Sequence, residues 1–308
     1  MILLLGATGF LGKRIARKLT EKKIPFTSTS LSMGVDLRDK GQTQRFFQEC
    51  KPDYVLNCAT FVGGIQFGYK FPGELFYNNT LLTANILEAC RLSKIKRLVN
   101  PISNCAYPAQ LSVFKEEQFW DGPLHESVLV YGQVRKNSWV GAWAYSKQYG
   151  LDTINLILSN MYGPEDHFDE ERSHALGALV KKIVIAKKTG DISVPIWGTG
   201  NPVREWLHVD DGADAMIRAM EIDSFIDPIN IGIQKGISIR DLAILIKEKA
   251  GYEGELIFDP SKPDGAAFKT VDGARGNKLL GWSPQLNITQ GVADTIDWFI
   301  KNKLSKYV

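Results

Sequence analysis

Long hydrophobic runs are missing from this chain, and with them any expectation of a membrane role, since its longest apolar runs are far too short to cross a bilayer. No basic segment precedes an apolar run at the amino terminus, as a signal peptide requires. The four cysteines (Cys50, Cys58, Cys90 and Cys105) form no CxxC pair, so reduced thiols and a cytoplasmic location are expected. Histidine is scarce, at four residues, and no spacing suggests a metal site. Charge of one sign is also missing: 37 Lys+Arg against 34 Asp+Glu leave a net charge of +3, without the clustered basic runs of a nucleic-acid surface. No nucleic-acid partner is expected, and a nucleotide ligand needs only a few local cations. Internal repeats and low-complexity linkers are absent as well. What is left is an ordinary globular composition, 44% hydrophobic and 23% charged over 308 residues, enough for one large core or two coupled ones.

The stretch from Ile2 to Leu11, ILLLGATGFL, organises the rest. Ile2 to Leu5 reads as a short strand buried on both faces, as the middle of a parallel sheet requires. Gly6, Gly9 and Gly12 follow at intervals of three. Gly6 permits a tight turn, Gly9 lets the backbone approach a pyrophosphate, and Gly12 lets the next helix, Phe10 to Leu19, pack on the sheet with its first amides toward the phosphates. Strand, glycines and helix in that order predict a dinucleotide site. Pro25 to Ser30 reads as the second strand, whose end lies beside the adenosine ribose. No acid stands there, and Lys13 and Arg14 are close in sequence, which favours NADP over NAD. Asp36, with Leu37, follows, either reaching the adenine or entering a helix.

Beyond it the chain alternates helix from Gln42 to Cys50, strand from Asp53 to Asn57, helix from Glu74 to Leu92, strand from Lys96 to Pro101, helix from Val130 to Tyr149 and strand from Leu151 to Leu158. This alternation predicts an α/β protein with a Rossmann-like doubly wound parallel sheet. A smaller C-terminal lobe is expected over 164–204 and 234–308, with 1–163 and a return segment at about 205–233 forming the dinucleotide-binding domain. Trp139 and Trp143, four apart on one helix, form a stripe that reads as core or subunit interface.

Three polar side chains follow strands at the edge where a nicotinamide would lie: Ser103 and Cys105 after the fourth strand, and Tyr131 at the head of the next helix. Together they suit a carbonyl. With Val62-Gly63-Gly64-Ile65, Ser103-Asn104-Cys105-Ala106-Tyr107-Pro108, Asn160-Met161-Tyr162-Gly163-Pro164, Ser173-His174, Trp197-Gly198, the run from Arg204 to Asp211, and Ser261-Lys262-Pro263-Asp264-Gly265, the sequence resembles the extended short-chain dehydrogenase/reductases. It is most similar to those that epimerise and reduce GDP-4-keto-6-deoxy-mannose. The resemblance spans nearly the whole chain.

It implies that Ser103 and Tyr131 are the carbonyl partners and that Cys105 and His174 are the base and acid that invert carbons 3 and 5. It further implies cofactor contacts from Gly6, Thr8, Gly9, Phe10, Leu11, Gly12, Asp36, Leu37, Asn57, Ala59, Tyr131, Arg135, Leu158 and Met161. Asn160, Lys182, Trp197, Arg204 and Lys269 would contact the nucleotide sugar, and the helices from Glu74 and Val130 would pair in a homodimer. Three positions depart from the family. Arg135 stands where its Tyr-x-x-x-Lys motif has Lys, with Lys136 offset to another side of the helix; Leu158 replaces a Pro and Phe268 an Arg. Arg135 still supplies a cation and donors one turn from Tyr131, although a guanidinium cannot join a proton relay. Two other readings remain: a relative acting on another keto-sugar, such as a heptose or dideoxyhexose, and a dinucleotide-binding protein without catalysis.

Overall fold

Leu3 and Leu5 face one way along the first strand and Ile2 and Leu4 the other, and all four are buried, so this strand lies inside a sheet covered on both sides. The computed structural model describes residues 1–169, 173–262, 264 and 267–308. Pro263 and Gly265 of the last motif, and the middle of the acidic stretch between Glu165 and His174, lie outside them. Six strands form the main sheet: β1 (Ile2–Leu5), β2 (Phe26–Thr29), β3 (Tyr54–Asn57), β4 (Arg97–Ser103), β5 (Thr153–Leu158) and β6 (Ile229–Ile231). All pair in parallel, in the spatial order β2-β1-β3-β4-β5-β6. The order reverses between β1 and β3, and open parallel sheets bind ligands at such a point.

Helices cover both faces. On one, Ile15 and Leu19 of α1 (Phe10–Glu21) meet Ile2, Leu4, Leu56 and Val99. On the other, Phe47 of α2 (Lys40–Cys50), Ile86 and Leu87 of α3 (Pro72–Leu92) and Ala142 of α4 (Leu129–Tyr149) meet Leu3, Leu5, Val55 and Leu98. The expected helices are thus all present, and β4 runs through Pro101 to Ser103, two residues past its expected end.

A second core joins α5 (Ala175–Thr189), α7 (Ile239–Ala250) and α8 (Ile288–Asn302); α6 (Val209–Arg218) belongs to the main sheet's cover. Its strands were not anticipated. Ser193–Trp197 pairs with Glu255–Asp259, and a four-stranded sheet runs Gly236–Ser238, Val203–Glu205, Phe268–Val271 and Val113–Phe114. Three of the six are only two or three residues long, too short to show a period of two. Ser238 caps α7 through a hydrogen bond from the Asp241 amide at 2.9 Å. No helix of the described residues is long and apolar enough to cross a membrane, and among them no group of His, Cys, Asp and Glu could hold a metal ion.

Candidate active site

Leu5, Thr29, Asn57, Ser103, Leu158 and Ile231 end the six strands along one edge of the sheet. The cofactor residues gather at its reversal point. Gly6 has φ +74°, and a Cβ there would lie 2.6 Å from the Ala59 amide; a Cβ on Gly12 would lie 2.1 Å from the Gly6 carbonyl. The turn at Gly6 and the helix packing at Gly12 are therefore steric demands of this loop. The loop is tied to β2, since the Thr29 carbonyl accepts from the amides of Gly6 (2.8 Å) and Ala7 (3.1 Å). Gly9 caps α1 without a side chain, so the first-turn amides, including those of Phe10 and Leu11, lack intrahelical partners and suit an anion. Thr8 shares hydrogen bonds of 3.0 and 2.9 Å with the hydroxyls of Ser30 and Ser32, at the end of β2.

Arg14 does not serve this corner. It is buried, donating to the Pro164 carbonyl at 2.9 Å, with Asp210 at 3.7 Å. Lys13 stays exposed. The Asp36 carboxylate is held by Arg38, which lowers its pKa, and Arg38 in turn donates to Asn78 at 2.8 Å. Leu37 is buried beneath them. Asn57 accepts from the Ala59 amide at 3.0 Å and donates to Asn100 at 3.1 Å, which fixes the loop after β3. Asn79 holds the next residues, accepting from the Phe61 amide at 3.1 Å and donating to its carbonyl at 2.8 Å. These α3 asparagines were visible in the sequence only as polar breaks in an apolar stripe. Their bracing role was not.

The polar trio collects at the end of β4. Ser103 Oγ accepts from the Cys105 amide at 3.2 Å, capping a short turn over Asn104–Ala106. The head of α4 presses on that turn, because a Cβ on Gly132 would meet the Cys105 carbonyl at 2.4 Å; the neighbouring Tyr131 is half-buried there. Arg135, one turn on, is 5% exposed; its guanidinium donates to the Pro101 carbonyl while Nε has no partner. Its charge also acts on Cys58, whose thiol burial pushes up to about 12. Lys136 points elsewhere, donating to the Phe119 carbonyl at 2.6 Å and lying 4.4 Å from the Trp120 ring centre. Arg135 and not Lys136 therefore faces the sheet beside Tyr131. Leu158 is buried and Met161 half-buried at the end of β5, and Asn160 accepts from Asn104 at 3.4 Å.

Burial raises the Cys105 thiol; the hydrogen bond with Ser103 and the charge of Lys269 oppose it. Lys269 sits opposite Arg204 in the pairing of Phe268–Val271 with Val203–Glu205. Burial lowers the pKa of both cations, and the two repel. Two desolvated cations side by side, near a thiol, suit an anion such as a diphosphate. Lys182 and Trp197 form a separate pair, with the ammonium 5.7 Å from the indole centre, and Lys262 flanks the same exposed ring at 5.9 Å. His174 stands at the N-cap of α5, its imidazole pKa lowered by desolvation and by His167. Among the described residues no hydrogen bond or ion pair joins His174 to Cys105. Phe268 is 40% exposed beside Lys269.

A glycine cradle at the reversal of a doubly wound parallel sheet suits a dinucleotide, and the same sheet edge carries hydroxyl, thiol and phenol groups at the end of β4. The profile of the NAD dependent epimerase/dehydratase family matches residues 2–232, and the chain belongs to that family. It is 34% identical to GDP-L-fucose synthase 1 of Arabidopsis thaliana, over 98% of this chain and 93% of that one. Among solved structures it is similar to a GDP-6-OMe-4-keto-L-xylo-heptose reductase from C. jejuni, with TM-score 0.91 and 26% identity over 98% of both chains. A GDP-L-fucose synthetase from Naegleria fowleri bound to NADP also has TM-score 0.91, with 27% identity over 98% of this chain and 92% of that one. GDP-L-fucose synthases and related GDP-sugar reductases are thus its homologues.

Proposed function

We propose that this chain is an NADP-dependent enzyme that epimerises and reduces a 4-keto nucleotide sugar, with GDP-4-keto-6-deoxy-mannose as substrate and GDP-L-fucose as product. The observation that carries this reading is the packing of the head of α4, which bears Tyr131, against the turn that holds Ser103 and Cys105 at the end of β4, with Arg135 one turn on and the charge of Lys269 acting on the thiol. The glycine cradle fits a dinucleotide, and residues at Gly6–Gly12, Asn57, Ala59, Tyr131, Arg135, Leu158 and Met161 would hold it. NADPH, when bound, supplies the hydride.

The chain's own groups handle protons and charge. The carbon 4 ketone acidifies the protons on its neighbours, so the Cys105 thiolate can remove the proton at carbon 3 or 5, and the His174 imidazolium returns one to the opposite face. The Tyr131 hydroxyl gives its proton to the carbon 4 oxygen while the Ser103 hydroxyl donates a hydrogen bond to it. Arg135 stands one turn along α4 from Tyr131, its guanidinium held by the Pro101 carbonyl. Asn160, Arg204 and Lys269 would hold the sugar and diphosphate, and Trp197 with Lys182 the base. Incubation with GDP-4-keto-6-deoxy-mannose and NADPH should consume NADPH absorbance and give a product inverted at carbons 3 and 5. Consumption without inversion, or with only a heptose substrate, transfers the assignment to a plain 4-reductase or a heptose enzyme. The heptose reductase likeness makes that the second reading.

NADPH is preferred to NADH in this proposal, because the end of β2 offers hydroxyls and no free carboxylate to repel a 2′-phosphate, Asp36 being held by Arg38. Catalytic efficiency with NADH equal to that with NADPH would remove the preference. The enzyme acts in the cytoplasm, as a homodimer joined through α3 and α4.

A further inference from the structure

Glu205 stands next to Arg204 in the motif from Arg204 to Asp211, and neither cofactor nor substrate binding has a use for it. Its side chain is completely buried, and no cation pairs with it among the described residues. An uncompensated carboxylate in such a place is costly unless donors surround it. Burial raises the Glu205 pKa, and backbone amides from two different segments oppose that rise by favouring the carboxylate. Oε1 accepts from Ile233, just past β6, at 2.8 Å, and Oε2 from Val271, the last residue of Phe268–Val271, at 2.8 Å. Its own carbonyl accepts from Asn160 Nδ2 at 3.1 Å, and Asn160 Oδ1 accepts from Asn104, the neighbour of Cys105. Two glycines clear the space: a Cβ on Gly232 would lie 2.5 Å from Oε1, and one on Gly273 would lie 2.6 Å from the Gly232 carbonyl. One carboxylate thus joins the edge of the main sheet to the strands that carry Arg204 and Lys269.

We propose that Glu205 is a positioning residue that locks these strands in register against the main sheet, so that Lys269 stands by Cys105 and Arg204 by Lys269. The proposal rests on reading Cys105 and Lys269 as site residues. A carboxylate can serve both amides at once, because each oxygen accepts; an amide in its place offers one acceptor and one donor, and the donor faces an N–H. Glu205→Gln should therefore free one strand while leaving the glycine cradle, on the far side of the sheet's reversal, untouched.

The test compares Glu205→Gln with the parent protein in three ways: calorimetric affinity for NADP+, calorimetric affinity for GDP and UDP, and the rate of Cys105 alkylation by iodoacetamide, followed by peptide mass spectrometry. Expected are an NADP+ affinity within about twofold of the parent, a nucleoside diphosphate affinity reduced about tenfold or more, and alkylation slowed about threefold or more as the thiolate loses its nearby cation. Unchanged alkylation and diphosphate binding would overturn the proposal. So would a parallel fall of all three with the melting temperature, which marks a merely structural carboxylate. If the parent binds neither GDP nor UDP but Glu205→Gln still slows alkylation, the substrate reading fails and the role of Glu205 stands. Should Glu205→Gln not fold, Gly232→Ala, whose methyl group would meet Oε1 at 2.5 Å and the Val271 side chain at 2.8 Å while keeping the carboxylate, is judged by the same outcomes.

Discussion

Cys105 and Tyr131 divide the chemistry between them, and single substitutions should separate its halves. Cys105→Ser replaces a thiol by a hydroxyl that is hardly ionised at neutral pH, so solvent-deuterium exchange at carbons 3 and 5 should be lost while NADP+ still binds. Tyr131→Phe removes the proton donor to the carbon 4 oxygen and should slow reduction about a hundred- to ten-thousand-fold, with exchange retained. Full exchange in Cys105→Ser, or parental reduction in Tyr131→Phe, sinks the assignment. The pH profile adds a second check. Burial holds the Cys105 thiol above its usual range, and desolvation with His167 holds His174 below its own. Inversion needs thiolate and imidazolium together. Between the two pKa values the loss of one form with pH is balanced by the gain of the other; below the His174 value thiolate keeps falling, and above the Cys105 value imidazolium does. Exchange should therefore be flat from about 6.5 to about 8.5, the ordinary values of the two groups, and fall only outside that interval. A sharp optimum inside it excludes the pair. Arg135 was readable as a departure from the family pattern, but that it and not Lys136 faces the sheet depends on the side of α4 turned inward.

The elements that were legible are the ones with a strong local signal. β1 is four apolar residues ended by a glycine, and α1 has one apolar face, in Ile15 and Leu19, against the sheet. Their junction is also where the fold tolerates least. Because a Cβ on Gly12 would sit 2.1 Å from backbone, where no side chain can yield, Gly12→Ala must move α1 away from the loop. The expected cost is about 1–3 kcal/mol of stability, with NADP+ binding weakened tenfold or more, about 1.4 kcal/mol. Thermal unfolding and NADP+ titration measure the two, and a variant that melts and binds like the parent shows that the cradle is looser than its geometry. Val203–Glu205 and Phe268–Val271 lie at the other extreme. Each is a strand only because the other supplies its hydrogen bonds, together with Gly236–Ser238 for the first and Val113–Phe114 for the second. No periodicity over three or four residues could announce that.

Across the whole molecule, α3 and α4 pack together and leave Phe76, Tyr77, Val140 and Trp143 exposed, an apolar surface of the kind that subunits cover. Trp139, by contrast, is turned inward, donating to the Ile226 carbonyl at 3.0 Å, so the tryptophan stripe divides between core and surface. Light scattering at micromolar concentration should give a dimer mass, and Trp143→Glu should shift it toward the monomer; a monomeric parent would refute the pairing. The sequence by itself determined the main sheet, its helices and the glycine cradle, because buried parallel strands and tight turns restrict residue choice locally, through apolar runs and the absence of a Cβ. It also carried the identities of Ser103, Cys105 and Tyr131, through their place after strands. Only the tertiary structure decided which cations reach them. Lys269 lies far from Cys105 in the chain yet its charge reaches the thiol once Phe268–Val271 pairs with Val203–Glu205, Arg14 is drawn away by Pro164, and Arg38 takes up Asp36. A charge's partner is set by distance in space, and that distance leaves no pattern in the order of residues.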